Sequence, residues 1–380
     1  MVSTCPPGFI LAGQSNMLGH NIEPRDLPVW LRRRGPTLSS AVLGMGMNSS
    51  HCRGWAPYRL EQPQEMFCGE FQKLGLRNTR GGPGPEASFA HAMSGLLPRL
   101  QRTAPGRQQP IHILKAALGG SPLLAWEPGK TESNVAWQQL RRMITAAGCV
   151  DWLGLVWMQG ESEAAGVAQA RAVQWGASFA ALLAAVRAAT GRPHLAAVVG
   201  RTVVPVDWRV VPGRPWKSRF VPFERHPSAK AVRAAQQAAG EASVDAAWVD
   251  LDDLPRSAGA HFAANEYVTM GLRFGVAMLT TLARQRQTGQ EGQAAGPAKD
   301  AHAVSARLMQ LAPHRNSTIA RAFRFERAHW GGTFVGPRGA AAVDPLAPKA
   351  AREGGAGGGG VGGRRQRRRL KRRRGHAKID

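Results

Sequence analysis

The stretch Phe9-Ile10-Leu11-Ala12-Gly13-Gln14-Ser15-Asn16-Met17 sets the reading of the whole chain. Consecutive apolar residues bounded by a glycine fit a strand buried on both faces. A small residue and a glycine then permit a tight strand-to-loop turn that exposes the Ser15 hydroxyl. Four further apolar runs have the same form, at 111–117, 152–157, 194–199 and 247–251. Helical patterns lie at 86–100, 134–147, 164–190, 226–242 and 264–286. Strands separated by helices predict an α/β three-layer sandwich around a parallel sheet of about five strands. Ligands in such sheets bind beyond the carboxyl ends of the strands, so chemistry is expected just after a strand. The segments 20–80 and 202–225 are too long for plain connections and are expected to shape the rim of the site.

The apolar share is 43% of 380 residues, enough for a sizeable core, and excludes a wholly disordered chain. No run approaches the ~18 apolar residues of a membrane-spanning helix, so no membrane partner is expected. The N-terminus has no basic segment followed by a long apolar run, which favours the cytoplasm or nucleus over export. Cys5, Cys52, Cys68 and Cys149 are scattered, form no C-x-x-C pair, and read as unpaired thiols in a reducing compartment, with Cys149 a plain core thiol. His, Cys and carboxylates do not cluster, so neither a metal nor an organic cofactor is expected.

Charge divides the chain. Of 50 basic and 25 acidic residues, 31 and 19 fall in 1–287 and 19 and 6 in 288–380, nets of +12 and +13. Residues 287–297 are small and polar, like a linker, and 352–363 carry a glycine tract that cannot build a core. The expectation is a folded domain over 1–287 and a mostly disordered Arg/Gly-rich tail over 288–380. Arg364–Arg374 (RRQRRRLKRRR) has nine cations in eleven residues, suited to nonspecific phosphate contact with nucleic acid, while the lack of aromatics argues against base recognition. The plainer reading of that run is a solvated low-complexity extension.

Four places follow or flank the expected strands and helices. They are Gly13-Gln14-Ser15-Asn16, Gly84-Pro85-Glu86, Gln159-Gly160-Glu161-Ser162-Glu163 and Gly259-Ala260-His261-Phe262. Each has a bland use: Ser15 as a helix cap, Pro85 at a first helical turn, Glu86 complementing a helix dipole, His261 as a satisfied surface side chain. Trp55, Trp126 and Trp208 could stack on a sugar, although packing is the commoner use of Trp, and Lys115 reads as structural. Their common placement at one sheet edge favours chemistry.

Taken in order, GQSNM (13–17), GPE-x-x-F (84–89), K-x-x-x-GGS (115–121), W-x-QGES (157–162) and G-x-H-F (259–262) resemble the SGNH hydrolase superfamily, flavodoxin-like in fold. They most resemble the carbohydrate acetylesterases of family six, or sialic-acid-specific acetylesterase-like domains, over roughly residues 8–286. The resemblance implies Ser15 as nucleophile on an O-acetyl ester of a carbohydrate and His261 as base. It implies an oxyanion hole made by the N–H of Ser15, the N–H of Gly84 and the amide of Gln159. The family usually carries Asp three residues before the histidine, where this chain has Ala258. That group fixes the imidazole tautomer, and its loss in a serine protease costs about 10⁴ in rate. Glu161 is the expected substitute, with Glu163, Asp252 and Asp253 as other nearby carboxylates. The missing Asp also motivates a second reading, a degenerate esterase fold that binds acetylated glycans with little turnover.

Overall fold

The structure is a computed structural model. It describes residues 5–19, 22, 24–29, 31, 42–46, 72–73, 84–100, 110–129, 134–164, 168–202, 227–254, 256–258 and 261–291. All of these lie in the first of two units, Met1–Gly336; the second, Pro337–Asp380, falls outside the described residues, as do Cys52, Cys68, Trp55, Trp208 and Arg364–Arg374.

The expected strands are β1 (Pro7–Gly13), β4 (Ile111–Ala117), β5 (Asp151–Met158), β6 (Ala196–Gly200) and β7 (Ala246–Val249), all parallel to their neighbours among one another. Two strands not anticipated extend one edge: β2 (Val42–Gly46) pairs parallel with β4, and β3 (Gln72–Lys73) pairs antiparallel with β2. The sheet order is β3-β2-β4-β1-β5-β6-β7. Strand β1 is therefore the point from which the chain builds outward in both directions, where α/β sheets open a crevice.

The helices are α1 (Ser15–Leu18), α2 (Glu86–Leu100), α3 (Val135–Ala146), α4 (Glu161–Ala164), α5 (Trp175–Thr190), α6 (Pro227–Glu241) and α7 (Ala264–Glu291). Alternation along β1 sends Phe9 and Leu11 into a core with Phe89 and Met93 of α2 and Phe274 and Met278 of α7. Ile10 and Ala12 face the opposite core, with Leu140 of α3, Phe179 of α5 and Val232 of α6. Both faces are covered, giving the three layers.

Three expectations change. The pattern read as one helix over 164–190 is α4, a 3-10 turn at Gln169–Gln174, and α5. Residues 169–190 are long and apolar enough in composition to pass for a membrane span, but Trp175, Phe179, Leu182 and Val186 are buried in the second core. Helix α7 runs to Glu291, past the helix end expected at 286, because the linker-like stretch holds helix-forming Gln and Glu. The expectation of unpaired cysteines is corrected: Cys5 and Cys149 form a disulfide, with Cα atoms 5.3 Å apart, tying the entry of β1 to the residues before β5. Cys149 is thus no plain core thiol, and such a bond persists in oxidising rather than reducing surroundings. The spacing of 144 residues carried no hint of the pair.

Apart from this sheet, β8 (Arg256–Ala258) and β9 (His261–Phe262) form a small antiparallel hairpin in which Ala258 is the register partner of His261.

Candidate active site

Strand β1 ends at Gly13, whose φ of 148° and proximity to β5 admit no side chain: a Cβ there would lie 2.0 Å from the Met158 carbonyl oxygen. The Gln14 N–H donates to the same Met158 carbonyl at 2.9 Å, and the Gln14 carbonyl accepts from the N–H groups of Met17 and Leu18, each at 2.9 Å. The chain thus turns within one residue and places Ser15 at the first position of α1. The sharp turn predicted from Ala12-Gly13 is what the sheet requires here. At the first position of α1 the Ser15 N–H has no carbonyl of its own helix to bond.

Across the crevice, His261 opens β9 and its Nε2 lies 2.9 Å from Ser15 Oγ. Ser15 is 8% exposed and His261 is half-buried. These two residues, 246 apart in sequence, are brought together as a nucleophile and base would be.

Glu161 stands behind this pair. Its Oε1 accepts from Asn16 Nδ2 at 2.6 Å, and Asn16 Oδ1 accepts from the Tyr267 hydroxyl at 3.0 Å. Burial pushes the Glu161 carboxyl above its ordinary value, against the downward pull of the Asn16 hydrogen bond. Gln159 is fully buried, and its amide is engaged on every side. Nε2 donates to the Ser121 carbonyl at 3.2 Å and to Glu163 Oε2 at 2.6 Å, and Oε1 accepts from Trp175 Nε1 at 3.1 Å. Glu163 also accepts from the Leu123 N–H at 2.6 Å, and burial raises its carboxyl too, with the Glu161 charge adding to the rise.

Gly84 lies against the end of α1, where a Cβ would meet the Met17 carbonyl oxygen at 2.7 Å. Its N–H donates to Glu86 Oε1 at 3.0 Å, and Glu86 Oε2 pairs with Lys115 Nζ at 2.9 Å. Lys115 Nζ also donates to the Leu18 carbonyl at 2.8 Å, so one buried ion pair fastens the Gly84 turn to α1. Glu86 thus binds Gly84 and Lys115 as well as standing at the start of α2.

Asp252 and Asp253 have other partners. Asp252 accepts from Arg233 Nη1 at 2.7 Å, and Asp253 holds Arg273 in a two-pronged pair at 2.6 Å each. Arg273 Nη1 also reaches the Asp250 carbonyl at 2.9 Å, so α7 anchors the residues that lead into the β8–β9 hairpin. Trp126 is packed in the core with its Nε1 on Ser121 Oγ at 3.0 Å, and is unavailable for sugar stacking. Among the described residues no group of three or more His, Cys, Asp or Glu could hold a metal ion.

A family model described as carbohydrate esterase, sialic acid-specific acetylesterase, matches residues 8–280. The chain belongs to this family. It is accordingly a carbohydrate-acetylesterase-like hydrolase. Similar solved structures include a protein from Arabidopsis thaliana, 19% identical, covering 72% of this chain and 98% of that one, with a TM-score of 0.46. A carbohydrate acetylesterase from Xanthomonas citri is 19% identical over 71% of this chain and 55% of its own, with a TM-score of 0.44. NanS is 14% identical over 73% and 98%, with a TM-score of 0.46. No curated protein matches the chain significantly.

Asn16 and Tyr267 are the site residues that sequence reasoning missed. Asn16 lay inside a quoted motif without a role, and Tyr267 lay unmarked in the helical pattern over 264–286.

Proposed function

We propose that this acetylesterase-family chain is a serine esterase that removes O-acetyl groups from a carbohydrate. The 2.9 Å approach of His261 Nε2 to Ser15 Oγ carries the proposal. His261 takes the Ser15 proton as Oγ attacks the acetyl carbonyl carbon. The tetrahedral oxyanion collapses, the bond to the sugar oxygen breaks, and the imidazolium returns its proton to that leaving oxygen. Water, deprotonated by His261, then attacks the acetyl–Ser15 ester and releases acetate, restoring the serine.

The Ser15 N–H is placed to receive the oxyanion. Gly84 and Gln159 join it only by exchanging partners, since their donors now serve Glu86, Ser121 and Glu163. Each oxyanion donor of this kind is worth about 3–4 kcal/mol in such reactions.

The test is acetate release from p-nitrophenyl acetate and from acetylated xylan by wild type, Ser15→Ala and His261→Ala. Both variants should fall to background. Wild-type activity no better than Ser15→Ala would leave a glycan-binding relative with little turnover, the reading that Ala258 motivates.

A second activity is suggested by Arg364–Arg374, nine of whose eleven residues are cationic. We propose that this run contacts nucleic-acid phosphates without sequence preference. Its retention on duplex DNA should weaken steeply with salt and vanish on deletion of 292–380, with esterase activity untouched.

A further inference from the structure

We infer that Asn16 is a positioning residue that couples the turn of the nucleophile to the hairpin of the base, and that Glu161 acts through Asn16 rather than on the imidazole. The inference rests on the proposed Ser15–His261 chemistry. Helix α1 has four residues, too few to hold its own geometry, so the orientation of Ser15 must be imposed from outside. The adjoining Asn16 side chain is fully buried and held from two directions. It receives the Tyr267 hydroxyl on Oδ1 and gives Nδ2 to Glu161. With Oδ1 accepting from the Tyr267 hydroxyl and Nδ2 donating to Glu161, both polar ends of the buried amide are engaged.

The path continues past Asn16. Tyr267, in the first turn of α7, packs edge-on against Phe262 with ring centroids 6.0 Å apart at 80°. Phe262 directly follows His261 in β9. The start of α4, the start of α1, the first turn of α7 and the base's hairpin are therefore linked through the buried side chains of Glu161, Asn16, Tyr267 and Phe262. Burial favours the neutral form of Glu161, and a carboxyl in either protonation state presents an oxygen to Asn16. The bond needs an acceptor, not a charge. A group that oriented His261 would by contrast have to be an anion, because its task is to stabilise the imidazolium.

That difference gives the test. Glu161→Gln keeps the acceptor and removes the charge. It should stay within about threefold of wild type in kcat, with the acid limb of the pH profile unmoved. Glu161→Ala and Tyr267→Phe strip partners from the buried amide and should each lower kcat by about tenfold at unchanged KM. Rescue of the Ala defect by Gln separates a lost acceptor from lost charge. A Glu161→Gln loss of about 10³ or more with the acid limb moved to lower pH would overturn the inference and return Glu161 to His261. Two readouts need no turnover. The His261 titration followed by NMR should be the same in wild type and Glu161→Gln, and the Met17 and Leu18 amides should exchange about tenfold faster in Tyr267→Phe. A shifted titration or unchanged exchange refutes the coupling even if Ser15→Ala retains hydrolysis, an outcome that would sink only the esterase reading.

Discussion

Ala258→Asp should make this protein a faster esterase. Ala258 and His261 are register partners across the β8–β9 hairpin. Directly opposed residues in antiparallel strands have Cβ atoms about 4.5–5.5 Å apart, within the span of a carboxylate–imidazole hydrogen bond. His261 Nε2 faces Ser15, so a carboxylate on the neighbouring strand would address the other ring nitrogen. An opposite charge at that range raises an imidazole pKa by about 1–3 units. One unit corresponds to about 1.4 kcal/mol of preference for the imidazolium. Loss of the equivalent carboxylate from a serine protease costs about 10⁴, and a grafted one, without its own supporting hydrogen bonds, should recover about 10–100-fold in kcat. The sign of the pH effect follows. Only neutral His261 can accept the serine proton, so a raised pKa moves the acid limb of the profile upward by about one unit. The accompanying gain in stability is fully present below the ordinary histidine value of about 6.5 and fades as pH rises through the raised folded value. Initial rates on p-nitrophenyl acetate from pH 5 to 9, with Ala258→Asn as an uncharged control, measure both. Unchanged kcat together with an unmoved acid limb would refute the idea that register places position 258 on the imidazole.

Further outcomes can be checked by unfolding and calorimetry. Lys115→Met leaves Glu86 buried without its cation and should cost about 3–5 kcal/mol in urea unfolding, since that side chain is only 1% exposed. Cys5→Ser/Cys149→Ser opens a 144-residue loop and should lower stability by about 2–4 kcal/mol, leaving kcat unchanged. Because the Glu161 carboxyl is raised above its ordinary 4.5, its contribution is fully present below that pH and is lost as pH rises through the folded value. Glu161→Gln should therefore flatten the fall in Tm on that limb, and an identical Tm–pH curve would contradict the burial argument.

The central strands were legible because each is a mostly apolar run, as a two-sided buried position demands, although β4 carries His112 and Lys115. Strands β2 and β3 were not: Val42–Gly46 contains two glycines, and Gln72–Lys73 is two polar residues held by its partner's backbone. Ser15 and His261 drew notice because one follows a small-residue turn and the other stands just before the last expected helix. Their surroundings did not. Asn16 meets Glu161 across 145 residues and Tyr267 across 251, and no local pattern records which polar side chains will share a buried volume. For Gly84 and Gln159 residue type suggests donors; Glu86 and Glu163 lie only two and four residues away, whereas Ser121 meets Gln159 across 38 residues.

The central place of β1 bears on biosynthesis. The first strand made is flanked by β4 and β5, which leave the ribosome about a hundred or more residues later. At ~5–20 residues per second it must wait many seconds for either neighbour, its apolar faces in need of shelter. Ser15 at its end, the proposed nucleophile, waits longer still, because His261 arrives 246 residues after it. A nascent chain of this enzyme would carry its serine as an inert hydroxyl through most of translation. Hydrolytic competence would switch on only when the last hairpin closes and α7 locks it down.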